Sequence, residues 1–195
     1  TPWRNPLVIA HGRIVVLGGD HHRLHEEVIM AGGEISAGAF NRLNVGQTRD
    51  AYAAATLQSV PEGVCQRLAA LWPQHGEPLL KTLETRMRER TKNLETTLAA
   101  RAEQEVAKFE AVLKELQRAI EQELQTDVNP QMTLWTDDEK SQRERDEQGL
   151  RRRLQEIPGE MQREAAHLRA RFRDPSPRLF PMAVTYLVPP AALRN

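Results

Sequence analysis

Three closely spaced histidines, His21, His22 and His25, are the residues of this chain best suited by type to bind a metal. His21 and His25 are four residues apart, the spacing that would place both on one face of a helix. A zinc site needs a third and a fourth ligand, and neither a cysteine pair nor an HExxH motif accompanies these histidines. We therefore predict surface or capping histidines and no metal site.

The other chemically capable groups lack the partners that catalysis requires. Gly18-Gly19 and Gly32-Gly33 follow apolar stretches but form no phosphate-binding glycine motif. Cys65 continues a helical pattern with Val64 and Leu68, which favours a buried apolar role over a nucleophile. The carboxylates lie on predicted helix faces that also carry Lys and Arg, as solvated surfaces do. We predict no catalytic residues and no cofactor in this chain.

Composition narrows the class of partner and the compartment. The 195 residues include 27 basic and 27 acidic side chains, a formal net charge of +0 that disfavours a generic polyanion binder. The single cysteine excludes an intrachain disulfide and fits a reducing cytoplasm. No apolar run reaches membrane-spanning length, and no signal peptide is visible. Because the chain opens without methionine and almost at once enters a strand-like run, we expect a piece of a larger protein.

Residues 77 to 126 predict one helix of roughly 75 Å. The stretch contains no glycine, and its only proline, Pro78, lies in the opening turn. Apolar or small residues recur at steps of three or four in a stripe narrow enough for a coiled-coil pair. This seam consists of Leu83, Met87, Thr91, Leu94, Leu98, Ala102, Val106, Phe109, Leu113, Leu116, Ile120 and Leu124.

A second periodic stretch, from about Thr136 to Phe172, is the predicted partner of the first. A short connection at 127–130 would make the two helices antiparallel. Pro158 cannot donate a backbone hydrogen bond, so Pro158-Gly159 predicts a kink or a restart. Two unrelated helices bridging solvent are the alternative. The apolar residues of this stretch are Leu150, Leu154, Ile157, Met161, Ala165, Leu168 and Phe172.

The N-terminal region predicts short strands and short helices. Residues 7 to 18 predict two strands around a tight turn at His11-Gly12. Asp20 is a plausible N-cap for a short helix, HHRLHEEVIMA, that ends at Gly32-Gly33, and a weak extended piece follows at 34 to 40. Two further helices are predicted, at about 48 to 58 and 61 to 72.

The apolar segment 179 to 189 is expected to return and pair with the N-terminal strands. The predicted fold is therefore α+β and mostly helical. A small α/β base is formed by both chain ends, residues 1–75 with 174–195. A long antiparallel two-helix coiled-coil arm occupies residues 76–173.

Closure of the helical hairpin near residue 130 would bring two groups of cations together. Facing residues would have numbers that add to about 261, which would place residues 86–92 opposite 169–173. This convergence predicts a strip that binds the phosphates of nucleic acid. Intervening glutamates leave a mixed solvated surface as the alternative. The seven candidates are Arg86, Arg88, Arg90, Lys92, Arg169, Arg171 and Arg173.

The end of the chain is its most specific part. DPSPRLFPMAVTYLVP, preceded by the charged helix LRRRLQEIPGEMQREAAHLRARF, resembles the extreme C-terminus of large bacterial Swi/Snf-type helicases of superfamily two. Relatives of these translocases occur in DISARM anti-phage systems. The N-terminal stretch WRNPLVIAHGRIVVLGGDHHRLHEEVIMAGG and the rod ERTKNLETTLAARAEQEVAKFEAVLKELQRAIEQEL are similar to the segments that precede that tail.

The resemblance implies a parent motor that hydrolyses ATP with Mg²⁺ and moves along duplex DNA. Its Walker A loop and DEAH-like box do not occur in this sequence, so no family catalytic residue is carried over and no ATPase activity is expected of this chain alone.

Two functions from different classes follow. The first is a non-catalytic C-terminal accessory module of a DNA helicase or translocase in phage defence. In the cytoplasm it would dock on the motor lobes and contact duplex DNA or other defence-system proteins, with no membrane involved. The second is a structural coiled-coil interaction or oligomerisation module with no nucleic-acid role.

Overall fold

A computed structural model describes residues 3–36, 39–125 and 136–193. The fold is α+β and mostly helical, with one antiparallel sheet and two long helices, as predicted. The strands are β1 (Leu7–Leu17), β2 (Arg23–Ser36), β3 (Ala39–Arg42) and β4 (Ser176–Leu187). The helices are α1 (Val45–Ala53), α2 (Glu62–Ala70), α3 (Trp72–Gln125) and α4 (Asp137–Arg171), and a 3-10 helix follows at Pro190–Leu193.

The sheet combines strands from both chain ends in the order β3-β2-β1-β4. β4 pairs with β1 along its whole length, from Leu187 opposite Leu7 to Ser176 opposite Leu17. The predicted return of the C-terminal apolar segment is therefore confirmed. β1 is apolar at consecutive positions because most of its residues are buried on both faces of the sheet.

The predicted turn at His11-Gly12 is wrong, because both residues lie in the middle of the continuous strand β1. Gly12 is required by packing and not by a turn. A Cβ at this position would lie 2.8 Å from Leu179 Cδ1 and 2.9 Å from Leu83 Cδ2. The missing side chain thus lets helix α3 approach the sheet closely.

The predicted helix over HHRLHEEVIMA is also wrong, because this stretch lies in the β1–β2 turn and in strand β2. Asp20 does not cap a helix; its Oδ1 accepts a hydrogen bond from the His22 N–H at 2.9 Å within the turn. Ile29, Ala31 and Ile35 of β2 face the core with the two-residue period of a strand. Pairing with β1 therefore decided the structure of this stretch.

Both short helices predicted after residue 45 are present with shifted bounds. α1 begins earlier than expected because Asn44 forms a capping box with Gln47. α2 follows Pro61, which occupies its N-cap position. The weak extended piece predicted at 34 to 40 corresponds to the end of β2 and the start of β3.

The two long helices are confirmed. α3 begins at Trp72, so Pro73 and Gly76, which we expected before the helix, lie in its first turns. α4 is capped by Thr136, whose side chain and that of Glu139 form a capping box. α4 continues through Pro158, so the restart predicted there does not occur.

Contacts divide the chain into two compact units, Thr1–Thr96 with Asp174–Asn195 and Thr97–Arg173. In the first unit, one face of the sheet packs against α3, where Leu79 and Leu83 are fully buried. Val8, Ala10, Ile14, Ile29, Ala31 and Ile35 complete this core.

In the second unit, α3 and α4 share a separate apolar cluster. Leu113, Ile120 and Ile157 are its buried members, and Phe109, Leu124, Leu150, Leu154 and Met161 pack against them. The predicted stripe of α3 is buried or half-buried at all but one position, but its first two members, Leu83 and Met87, pack against the sheet and not against α4. Leu116 is the exception, since 38% of its surface is exposed.

Candidate interaction surface

One face of the sheet carries a row of residues that crosses three strands. Arg13 of β1 lies opposite Val28 of β2 and opposite Phe180 of β4, so their side chains lie side by side. We call these three residues the open row. Val28 is 59% exposed and Phe180 is 45% exposed. Two large apolar side chains thus remain in water on a rigid sheet, as at a surface that another protein covers.

The cation at the centre of the open row shares one carboxylate with a second arginine. The Arg13 guanidinium lies over the Phe180 ring, 5.3 Å from its centroid. Its Nη1 lies 3.4 Å from Glu26 Oε1, and Glu26 also accepts a hydrogen bond from Arg23 Nη1 at 2.6 Å. Because Glu26 serves both arginines, the guanidinium of Arg13 is only partly neutralised. The exposed apolar side chains on either side of it are what suit a protein partner.

Other parts of the sheet are covered. At the far end of β1, Leu7 is buried with Leu43 and with Ala51 of α1. The opposite face, beneath the open row, is occupied by Leu83 of α3. Besides Val28 and Phe180, the sheet exposes Met182 and Val184 of β4, at 61% and 39%. The exposed large apolar side chains of the described sheet thus lie on the edge strand β4 and at Val28 of β2.

The surroundings of buried His75 and half-buried His11 disfavour the charged form of the imidazole and lower the pKa of both. His75 of α3 lies with its Nε2 2.9 Å from Tyr186 Oη and with its ring edge-on to Trp72. Burial lowers the pKa of His75, an effect that the Leu71 carbonyl partly offsets, and burial raises the pKa of Tyr186. His11, whose Nε2 lies 3.0 Å from Thr185 Oγ1, likewise has a pKa lowered by burial.

We expect the free energy of unfolding to fall as the pH drops below about 6.5, the usual pKa of an unfolded histidine. The folded pKa of His75 is depressed, so the unfolded chain binds the proton first and protonation favours unfolding. Urea unfolding at pH 7.5 and at pH 5.5 measures the difference. His75→Phe should reduce this pH dependence, and the same substitution at exposed His22 is the matched control. Equal pH dependence in native protein and His75→Phe would contradict the assignment.

Two of the four predicted phosphate-binding cations in the first unit are already paired. Arg90 donates from Nε and Nη2 to the two carboxylate oxygens of Glu27, which lowers the pKa of Glu27 and raises that of Arg90. Arg86 Nη1 lies 3.9 Å from a glutamate carboxylate one turn further along α3. Within residues 3–36, 39–125 and 136–193, Arg88 and Lys92 have no carboxylate partner.

In the second unit, Arg169 is held by Glu103 and not by any of the predicted neighbours. Its Nε and Nη2 donate to the two Glu103 carboxylate oxygens at 2.8 and 2.9 Å, and this pairing lowers the pKa of Glu103. Nearby, the Arg101 guanidinium lies 6.0 Å from the centre of the Phe172 ring. Arg171 has an interaction of its own, and Arg173 has no ion pair to the residues that the structure describes.

The predicted register of the helical pair is therefore wrong. Arg169 faces Glu103, about three helical turns further along α3 than the expected position of Lys92. The register follows the packing of the shared apolar cluster around Leu113 and Ile157, and not the midpoint of the connection. The cations at 86–92 belong to the first unit and Arg169 to the second. A nucleic-acid role for the seven candidates stays a prediction.

The remaining candidate groups lie on the surface or in pairs. His21 and His22 are exposed, and His25 Nε2 lies 3.3 Å from Glu27 Oε2. Among the described residues, no group of three His, Cys, Asp or Glu could hold a metal ion. Cys65 is exposed, so its predicted burial is wrong: α2 buries Val64 and Leu68 and leaves the thiol in solvent.

Sequence reasoning missed the open row because its residues come from three separate stretches. The sequence pattern places Val28 in a predicted helix and Arg13 directly after a predicted turn. The available signal was the two-residue period of Ile29, Ala31 and Ile35, which places Val28 on the outer face of a strand. Only the pairing register brings Arg13 and Phe180 beside it.

No helix in the described ranges has both the length and the apolar character to cross a bilayer. Comparisons with protein-family models, with curated proteins and with solved structures found no match to this chain. A relation to Swi/Snf-type helicases therefore stays a prediction from the sequence segments quoted above.

Proposed function

We propose that this chain is a non-catalytic docking module that attaches through its sheet to a larger protein. The observation that carries the proposal is the open row, in which Val28 and Phe180 are exposed on either side of Arg13. Burying such side chains against a partner would contribute about 25 cal/mol for each Å² of apolar surface removed from water.

The partner that we propose is the motor of an ATP-dependent DNA helicase or translocase, in agreement with the resemblance of the C-terminal segment. In this role ATP and Mg²⁺ belong to the motor, and the chain supplies contacts to it or to other defence-system proteins. The two exposed apolar side chains beside Arg13, one of them a ring that the guanidinium covers, support a protein surface as the counterpart of the row.

The test is sedimentation of the purified chain with separately expressed motor lobes of the parent helicase. Val28→Lys and Phe180→Lys should each weaken the complex at least tenfold, because a lysine ammonium would be buried at the contact. The matched control is Val112→Lys, at an exposed valine of the second unit. Undiminished binding by both row variants would contradict docking through the sheet.

Any contact with duplex DNA should involve few phosphates. Of the seven candidate cations, Arg88, Lys92 and Arg173 are those without a carboxylate partner or other assigned interaction in the described structure. Three phosphate contacts would give a slope of about −3 in log K against log salt concentration. We expect fluorescence anisotropy with labelled duplex to give that slope or a shallower one. Arg88→Glu should make the slope shallower, because one phosphate contact is lost. A slope of about −6 would mean that the paired arginines also bind phosphate.

A second candidate function is a coiled-coil interaction module with no nucleic-acid role. It is favoured by Val112 and Leu116, which lie one helical turn apart on α3 and are 67% and 38% exposed. If this pair mediates self-association, Val112→Glu should shift a concentration-dependent oligomer to monomer in sedimentation. The open-row variants should leave such an oligomer intact.

A further inference from the structure

The outer edge of β4 is divided into a blocked half and an open half. Backbone N–H and C=O groups of successive residues in β1 point alternately toward β2 and toward β4. The Ile35 N–H donates to the Pro6 carbonyl at 2.9 Å, so the backbone groups of Pro6 point toward β2. Even-numbered residues of β1 turn their backbone groups toward β2. The β4 residues opposite them therefore turn their backbone groups away from the sheet. These are Pro177, Leu179 and Pro181 in the first half and Val184 and Tyr186 in the second.

Prolines remove two of the three outward donors in the first half. A proline has no N–H, and such residues on an edge strand prevent the addition of another strand. From Met182 to Val188 the edge has no proline. Within the described structure, the outward backbone groups of Val184 and Tyr186 have no hydrogen-bond partner. The second half is thus the part of this edge able to accept another strand.

A cavity of about 710 Å³ lies against this open half. Residues 185–190 bound it on one side, and the chain segment 54–60 bounds it on another. Thr185 contacts His11 on the α1 side of the sheet, whereas the Tyr186 side chain bonds His75 of α3 on the other side. Thr185 and Tyr186 both line the cavity, although their side chains lie on opposite faces of the sheet. The cavity therefore reaches the edge of β4, which lies between the two faces. We call this space the β4 slot.

The lining of the β4 slot selects the chemistry of an occupant. None of its described lining residues is Asp, Glu, Lys or Arg. Trp3, Tyr52 and Leu187 supply apolar walls, and Leu57 stands fully exposed in the facing segment. Charge complementarity therefore favours an uncharged chain, since a buried charge would find no counter-ion in this lining. The volume is within the range of pockets that bind ligands or side chains.

We propose that the β4 slot binds an extended, uncharged peptide segment of a protein partner, which adds to the sheet beside β4. The outward groups of Val184 and Tyr186 pair with the peptide backbone, and alternate peptide side chains enter the apolar space. The proposal rests on the proposed docking function only in that the partner is a protein. Its site is separate from the open row, and its test needs no motor.

The probe is a capped, fluorescein-labelled heptapeptide of alternating threonine and valine with a central phenylalanine. We expect the native chain to bind it with a Kd below about 100 μM, equivalent to about −5.5 kcal/mol. Binding should slow hydrogen exchange at the Val184 and Tyr186 amides. A peptide N-methylated at alternate residues should not bind, because it lacks the donors that pair with the edge.

Val184→Pro is the decisive variant, because it removes one outward N–H and leaves the bonds between β4 and β1 in place. It should weaken peptide binding at least tenfold, while Val184→Thr, which keeps the N–H, should bind as the native chain does. Leu57→Asp tests the slot at an exposed residue with little risk to folding and should also weaken binding. Equal binding of the N-methylated peptide, or native affinity in both Val184→Pro and Leu57→Asp, would overturn the proposal. Self-association that Val184→Pro abolishes would overturn it in favour of a second copy of this chain.

Discussion

Leu83→Ala is expected to lower the free energy of unfolding by about 2–5 kcal/mol. Leu83 is fully buried between α3 and the sheet, where it lies over the position that Gly12 leaves without a side chain. Truncation removes apolar contacts and leaves a cavity that α3 and β1 cannot close without shifting. Urea unfolding followed by circular dichroism and by tryptophan fluorescence measures the change.

Leu57→Ala is the matched control for this experiment, because Leu57 belongs to the same unit and is fully exposed. It should change stability by less than about 0.5 kcal/mol. A loss below about 1 kcal/mol in Leu83→Ala would mean that α3 does not anchor the sheet as described. Gly12→Ala offers an independent check, since its new methyl group would compete with Leu83 for the same space.

Ile157→Ala is expected to cost a similar amount, about 2–5 kcal/mol, in the second unit. Ile157 is the fully buried member of the cluster shared by α3 and α4, and the described residues of this unit, 97–125 and 136–173, contain no strand. Val112→Ala, at an exposed valine of the same unit, is the control and should be nearly neutral. Loss of helical signal at a lower urea concentration in Ile157→Ala is the expected result. Unchanged unfolding would mean that the two helices do not depend on this cluster.

The helices could be predicted from sequence because their period recurs over many turns. The seam from Leu94 to Ile120 repeats at three and four residues without a competing interpretation, and all its members except Leu116 are buried or half-buried as expected. The cross-helix register was not predictable in the same way. Each stripe fits several axial offsets, and the choice between them depends on side-chain packing such as that of Ile157 with Leu113.

The N-terminal strands were harder to predict because a short apolar stretch fits both the 3.6-residue period of a helix and the two-residue period of a strand. Leu24, Val28 and Ile29 can form one face of a helix, and Gly32-Gly33 resembles a helix end. In the fold, those glycines lie within β2 for a tertiary reason. A Cβ on Gly33 would lie 2.1 Å from the Phe40 ring, so the glycine permits the close packing of β3 on β2.

The candidate site illustrates the same limit. The sequence shows which residues are cations, but it does not show which carboxylates pair with them. Glu27 lies far from Arg90 along the chain, and only the strand conformation of β2 brings its carboxylate to α3. The sequence shows that Val28 and Phe180 are apolar. It does not show that they are exposed, because their exposure depends on which part of the sheet the helices cover.

The pairing of β4 with β1 also sets an order of events during synthesis. Roughly 160 residues separate the two strands along the chain, which at about 5–20 residues per second corresponds to a delay of about 8 to 30 s. During that interval β1 is present on the nascent chain while one of its edges still lacks a neighbour. A ribosome that stalls within α4 would leave this apolar edge available to any other strand, including one from a neighbouring nascent chain. Release of the last strand from the exit tunnel therefore completes the sheet and ends the period of greatest aggregation risk.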